Sequence, residues 1–121
     1  MSNAKENVEI ARAWLRAFNA RDLASLVSLY SDDATHTSPK LRDRQPETGG
    51  RIVGKAALER WWADAFQRLP TLRYEEKSFT ADERCVVIEY LRHVPGEPPM
   101  PVAEFFEIRL GRIFASRVYH G

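Results

Sequence analysis

The stretch YSDDATHTSP, residues 30–39, sets a histidine and a serine where chemistry could be done. Thr35 and Thr37 are β-branched and favour a strand, which Pro39 would stop. Side chains alternate along a strand, so His36 and Ser38 share one face. On a half-buried strand the inward positions are ordinarily apolar. Here they would bring inward an imidazole that titrates near neutrality and a hydroxyl that can donate or accept. A second strand, CVVIEYLRH, carries Val86, Ile88, Tyr90 and Arg92 on one face and Val87, Glu89, Leu91 and His93 on the other. The three histidines, His36, His93 and His120, have no paired ligand spacing, so no metal site is expected. Cys85 is the only cysteine, which excludes an intrachain disulfide. It opens an apolar run and reads as a packed strand residue, not a reactive thiol.

The elements that must position these groups follow from periodicity. Val8, Ala11, Trp14, Leu15 and Phe18 recur at helical spacing over 5–22, with Asn3 and Glu6 placed as a capping box. Asp22 can cap a second, short helix whose stripe is Leu23, Leu26, Val27 and Tyr30. A third helix over 55–69 turns Leu58, Trp61, Trp62, Ala65, Phe66 and Leu69 to a core and ends at Pro70. The polar segment 40–54, with Pro46 and Gly49-Gly50, reads as a long loop. Strands are expected over 71–80, 83–94, 102–110 and 113–121, with the Pro- and Gly-rich VPGEPPMP as a hairpin turn. Three helices followed by sequential strands predict an α+β fold with a mostly antiparallel sheet. Trp14, Phe18, Trp61, Trp62 and Phe66 are bulky enough to hold such a sheet away from the helices, which would leave a cone with a pocket.

Composition narrows the function classes. A chain of 121 residues, 44% hydrophobic and 29% charged, suits one soluble domain, 1–121. A formal net charge of +1, with bases scattered among acids, points to neither nucleic acid nor an acidic membrane surface. The first twelve residues hold no apolar core of a signal peptide, and no run reaches membrane-spanning length. A cytoplasmic location is the expectation.

AFNARDLASLVSLYSDDATHTSP, the glycine Gly54 opening the third helix, AEFFEIRLGRI and RVYHG occur here in an order and spacing that resemble the nuclear transport factor 2-like superfamily. The resemblance spans nearly the whole chain and is to the SnoaL-like polyketide cyclase and ketosteroid isomerase branches. It implies a cone-shaped α+β barrel of a curved sheet on three N-terminal helices, and a homodimer packed through the outer sheet face, where Leu91, Phe105 and Tyr119 would lie. It also implies an apolar pocket between helices and sheet, into which the strand after DDAT points His36 and Ser38.

Residue by residue the isomerase pattern largely fails. The resemblance places the isomerase base at Ser38, its oxyanion-hole tyrosine at Trp14 and its oxyanion-hole acid at Glu104. Only Glu104 keeps the chemical type. The resemblance also turns the Tyr90/Arg92 face inward, with Glu104, Phe106 and Ile108 on the neighbouring strand and Ser116, Val118 and His120 on the last. The expected site is therefore Glu104, His36 and Arg92 as the acid–base groups. Trp14, Phe18, Tyr30, Ser38, Trp62, Phe66, Ile88, Tyr90, Phe106 and His120 are the expected walls. Glu104 in an apolar pocket would have a raised pKa, His36 would titrate near neutrality, and Arg92 could hold an enolate or carboxylate. Alternatively Arg92 and Glu104 form a structural ion pair, which would lower that pKa. The function expected is binding of a small, largely apolar molecule bearing a carbonyl or acid, with cofactor-free isomerisation, cyclisation or hydration of it. A non-enzymatic carrier or dimerisation module is the other reading. A third is epoxide hydrolysis, for which the resemblance asks for an Asp-Arg-Asp set; Arg92 and Glu104 can be placed in it, and the second acid has no counterpart.

Overall fold

The computed structural model describes residues 3–121. Helix α1, Ala4–Asn19, begins at Asn3, whose side chain accepts the Glu6 N–H and donates to the Glu6 carboxylate at 2.9 Å. Glu6 thus takes the capping amide itself, a variant of the reciprocal box. Ala11, Trp14, Leu15 and Phe18 form the buried stripe, joined by Asn7 and Ala17. Asp22 caps α2, Leu23–Ser28, by accepting the Ser25 N–H.

Strand β1, Tyr30–Thr37, follows at once. The segment expected as a long loop is instead largely structured. It holds α3 (Pro39–Arg44), a 3₁₀ turn (Pro46–Thr48) and β2 (Arg51–Val53), which pairs antiparallel with β1. The reason is local. Ser38 Oγ accepts from the backbone N–H groups of Lys40 (3.1 Å) and Leu41 (3.4 Å), and Pro39 fills the first helical position, where its missing N–H is no loss. Ser-Pro therefore ends a strand and starts a helix. The segment folds back because Gly50 adopts φ +87°; a Cβ there would stand 3.1 Å from Arg42 Cβ. Helix α4, Lys55–Arg68, starts after Gly54 and buries Leu58, Trp61, Trp62 and Ala65. The described residues hold four α-helices, not the three expected.

Strands β3 (Arg73–Ala81), β4 (Cys85–His93), β5 (Met100–Arg109) and β6 (Arg112–His120) run as an antiparallel meander. The last strand returns beside β1 in parallel, which gives one curved six-stranded sheet in the order β2-β1-β6-β5-β4-β3. The fold class is thus α+β, as expected. Period-2 alternation buries Val86, Ile88 and Tyr90 on β4 and Val102, Glu104, Phe106 and Ile108 on β5. The concave face so formed is covered by α1 over β3 and β4, and by α4 over β1 and β2. Among the described residues no helix is long and apolar enough to cross a membrane.

Candidate functional site

The helices do not fill the concavity completely. A cavity of ≈ 80 Å³, measured to the centre of a water-sized sphere, remains between α1, α4 and the sheet. That is room for several waters, or for one end of a planar molecule. Trp14, Phe18, Trp61, Trp62 and Leu72 form its apolar walls, and Tyr74, Tyr90, Glu104 and His36 lie on its sheet side.

Glu104 is 1% exposed. Register decides its company. Directly across stand Ile88 on β4 and Val118 on β6, both apolar. Its diagonal neighbour Tyr90 donates its phenolic O–H to Glu104 Oε1 at 2.9 Å. Oε2 is buried with no hydrogen-bond partner among the described residues. Burial pushes the carboxyl from its ordinary 4.5 to about 8, and the Tyr90 hydrogen bond pulls the other way without winning. The alternative of an Arg92–Glu104 ion pair is not realised. Arg92 binds Glu97, in the β4–β5 turn, at 3.0 Å.

His36 is 3% exposed and sits opposite Ser116 in the parallel β1–β6 register. Its Nδ1 lies 2.6 Å from Ser116 Oγ. Behind that pair, Trp14 Nε1 donates to Tyr30 Oη (3.2 Å), and Tyr30 donates to Ser116 Oγ (3.2 Å). Ser116 already accepts from Tyr30, so its own proton finds an acceptor in this chain only if His36 Nδ1 is unprotonated. That arrangement satisfies every hydrogen in the chain and leaves the proton of the neutral ring on Nε2. The expectation that His36 titrates near neutrality is corrected. Burial with no carboxylate beside it depresses the imidazole to about 4, so the ring is a neutral N–H donor at ordinary pH.

Of the expected wall residues, Trp14, Phe18, Ser38, Trp62, Tyr90 and His120 line the cavity, as do the three expected acid–base groups. Tyr30, Phe66, Ile88 and Phe106 do not: Tyr30, Ile88 and Phe106 are corrected to core, and Phe66 to a partly buried residue packed against it. Tyr30, Ile88 and Phe106 are wholly buried behind the wall, and Phe66 packs edge-on against Phe18 at 5.1 Å. Two of the lining groups are already committed. The Ser38 hydroxyl caps α3, and the Trp14 indole N–H is spent on Tyr30. Neither is a free counterpart of the isomerase base or tyrosine. Sequence reasoning missed Tyr74, whose ring stacks between Phe18 (4.0 Å) and Tyr90 (4.1 Å). It also missed Lys40, Arg44 and Arg68, which surround the opening. Lys40 and Arg44 are four apart, and a helical reading of 39–44 would have placed them on one face. Glu104 is the only acid lining the cavity among the described residues, so an Asp-Arg-Asp set for epoxide hydrolysis is not assembled. No three His, Cys, Asp or Glu side chains among the described residues converge as metal ligands would.

A family model described as a SnoaL-like domain matches residues 11–116. The chain belongs to the SnoaL-like family. Solved structures agree on the nuclear transport factor 2-like fold. A SnoaL-like protein of unknown function from Burkholderia thailandensis is 24% identical, with a TM-score of 0.86 over 97% of this chain and 96% of that one. A putative ketosteroid isomerase from Kribbella flavida is 18% identical, with a TM-score of 0.81 over 100% and 82%. A putative polyketide cyclase from Sinorhizobium meliloti is 22% identical, with a TM-score of 0.77 over 92% and 94%. No curated protein matches the sequence.

Proposed function

We propose that this SnoaL-like protein is a cofactor-free enzyme that moves a proton next to the carbonyl of a small, largely apolar molecule, in an isomerisation or cyclisation. One observation carries the reading: a buried carboxyl group lines the cavity with one oxygen unpaired and no cation against it. A structural glutamate would be neutralised by a base or fully hydrogen-bonded. Glu104 is neither, and its pKa of about 8 lies close to working pH, where a group both takes and returns protons efficiently.

Roughly one Glu104 in ten is ionised at pH 7 by that value. In the proposed step the carboxylate takes a proton from the carbon beside the carbonyl. The C–H electron pair moves into an enolate whose oxygen accepts from His36 Nε2–H. Glu104, now protonated, returns the proton to another carbon, and no oxidant or reductant is required. A neutral imidazole suits the electrophile, since it stabilises the enolate without holding a full charge in an apolar site. The names of two structural neighbours, a putative ketosteroid isomerase and a putative polyketide cyclase, agree with carbonyl chemistry.

The experiment needs no knowledge of the natural substrate. 2-Tetralone, an apolar bicyclic ketone with acidic hydrogens beside its carbonyl, is incubated with the protein in D₂O and followed by proton NMR. Exchange faster than in buffer, and returned to the buffer rate by Glu104→Gln, is expected. Exchange that survives Glu104→Gln removes Glu104 as the base. No exchange above buffer favours the non-enzymatic reading.

A further inference from the structure

The basic groups around the opening are more numerous than the proton transfer needs. Lys40 and Arg44 come from α3, Arg68 from α4, Arg92 from β4 and His120 from the end of β6, and all five line the cavity. All but Arg92, whose side chain is 11% exposed, stand where the site meets water. The Arg44 side chain is 46% exposed and Arg68 28%, whereas Glu104 at the closed end is 1% exposed. The acids that touch them are fewer. Asp64 serves both Arg68 (2.7 Å) and Arg44 (3.9 Å), Glu97 serves Arg92, and Lys40 has no ion-pair partner among the described residues. Neither Asp64 nor Glu97 lines the cavity.

This is not the chain's general character, since its formal net charge is only +1. An ordinary solvated face interleaves both signs. The imbalance is felt locally: His120 is pushed below its ordinary pKa, first by burial and then by the positive charges of Lys40 and Arg92, with Asp43 opposing. Four permanent cations from three elements, ion-paired with two acids and with Asp43 near His120, leave the rim of an aromatic cavity net positive.

We propose that the natural substrate carries a carboxylate, held at this rim by Lys40, Arg44, Arg68 and Arg92, while its carbonyl end enters toward Glu104. This rests on the carbonyl reading above and adds the substrate's charge and orientation to it. The polarity of the two ends allows only this direction. A carboxylate at the closed end would be stripped of water and set against the Glu104 carboxyl group. At the rim it keeps part of its hydration and gains charge-assisted hydrogen bonds from guanidinium groups. The body between, against Trp61 and Trp62, is flat and apolar. The substrate class is thus an aryl or similarly apolar keto acid.

The test uses a matched pair of probes, 4-acetylbenzoate and its methyl ester, which share ring and ketone and differ in charge. Dissociation constants come from indole fluorescence and ligand-observed NMR at low and high salt. The acid is expected to bind about tenfold more tightly than the ester at low salt, with the preference shrinking as salt rises. Lys40→Gln with Arg44→Gln, on a half-exposed helix face, is expected to bring the acid's affinity down to that of the ester. Equal binding of acid and ester in the parent overturns the charge assignment and leaves the carbonyl reading standing. Binding of neither up to millimolar concentration overturns the assignment too, and 2-tetralone exchange then decides separately whether the carbonyl chemistry survives.

Discussion

Replacing Glu104 by Gln keeps the shape of the side chain and removes its ionisation, and the structure fixes what that does to stability at each pH. Burial raises the carboxyl from its ordinary 4.5 to about 8. Below 4.5 the group is protonated in both folded and unfolded chains and costs nothing. Between 4.5 and 8 the unfolded chain releases the proton while the folded chain holds it. Stability therefore falls as pH rises, by roughly 1.4 kcal/mol per pH unit, and levels off above 8. Across that interval the loss is on the order of 5 kcal/mol, comparable with the whole stability of many domains this size. The glutamine amide cannot ionise, so the variant lacks this fall. Urea unfolding followed by indole fluorescence at pH 5, 7 and 9 reads the difference, and every other titrating group cancels between parent and variant. The advantage of Glu104→Gln over the parent is expected to grow by roughly 3–5 kcal/mol from pH 5 to pH 9. Parallel curves would show that Glu104 is not desolvated as drawn. A variant that becomes the weaker partner at high pH would show that the carboxylate is held ionised by a cation, and the proton-transfer reading would fall with it. The same proton should govern turnover: 2-tetralone exchange should rise with pH and level off near 8, because the base is the ionised form.

Three other outcomes follow from the same geometry. Tyr90→Phe removes the one hydrogen bond that favours the Glu104 carboxylate, so the midpoint of the pH–exchange profile should move upward; a downward move would mean the phenol instead favours the neutral acid. Ser116→Ala removes the donor to His36 Nδ1, so nitrogen-15 NMR of the imidazole should show the Nε2–H form dominant in the parent and a mixture of tautomers in the variant; a parent already protonated on Nδ1 would refute the hydrogen-bond direction. The outward sheet face carries Tyr119, 56% exposed, beside Leu91 and Phe105, and Phe105 lies under the Arg117 guanidinium at 4.6 Å. Homodimerisation through this face is the expectation, and light scattering that finds a monomer at micromolar concentration would reject it.

Period is what the sequence shows clearly. The inward set Val86, Ile88, Tyr90 and the set Glu104, Phe106, Ile108 follow from alternation plus a choice of face, and both are buried. His36 turns inward for the same reason. Pairing across strands is hidden, because it depends on register and not on local pattern. Nothing in YSDDATHTSP says that its strand will lie parallel to the last one, with His36 beside Ser116. Without that neighbour and the degree of burial, His36 looks like a group that titrates near neutrality. The segment after Pro39 is polar, and polarity alone is a weak sign of a loop. The Ser-Pro pair, a cap followed by a proline suited to the first turn, is the stronger signal, and a loop reading loses the cationic rim along with the helix.

Register also explains why Glu104 lacks a cation, the point on which the alternatives divide. Tyr90 and Arg92 share one face of β4, and either could have met the carboxylate. Glu104 stands across from Ile88, so the next inward residue toward the turn, Tyr90, is its diagonal neighbour, and Arg92 is two residues farther along. There Arg92 faces Met100 and comes within 3.0 Å of Glu97, an acid supplied by the hairpin turn itself. Sliding β5 by two residues would keep every side chain on its face and set Tyr90 directly across from Glu104, with Arg92 as the diagonal neighbour. The acid would then be an ordinary ion-pair partner with a lowered pKa. Alternation brings a carboxyl group inward; the register of one hairpin, and the acid in its turn, leave it without a counter-charge.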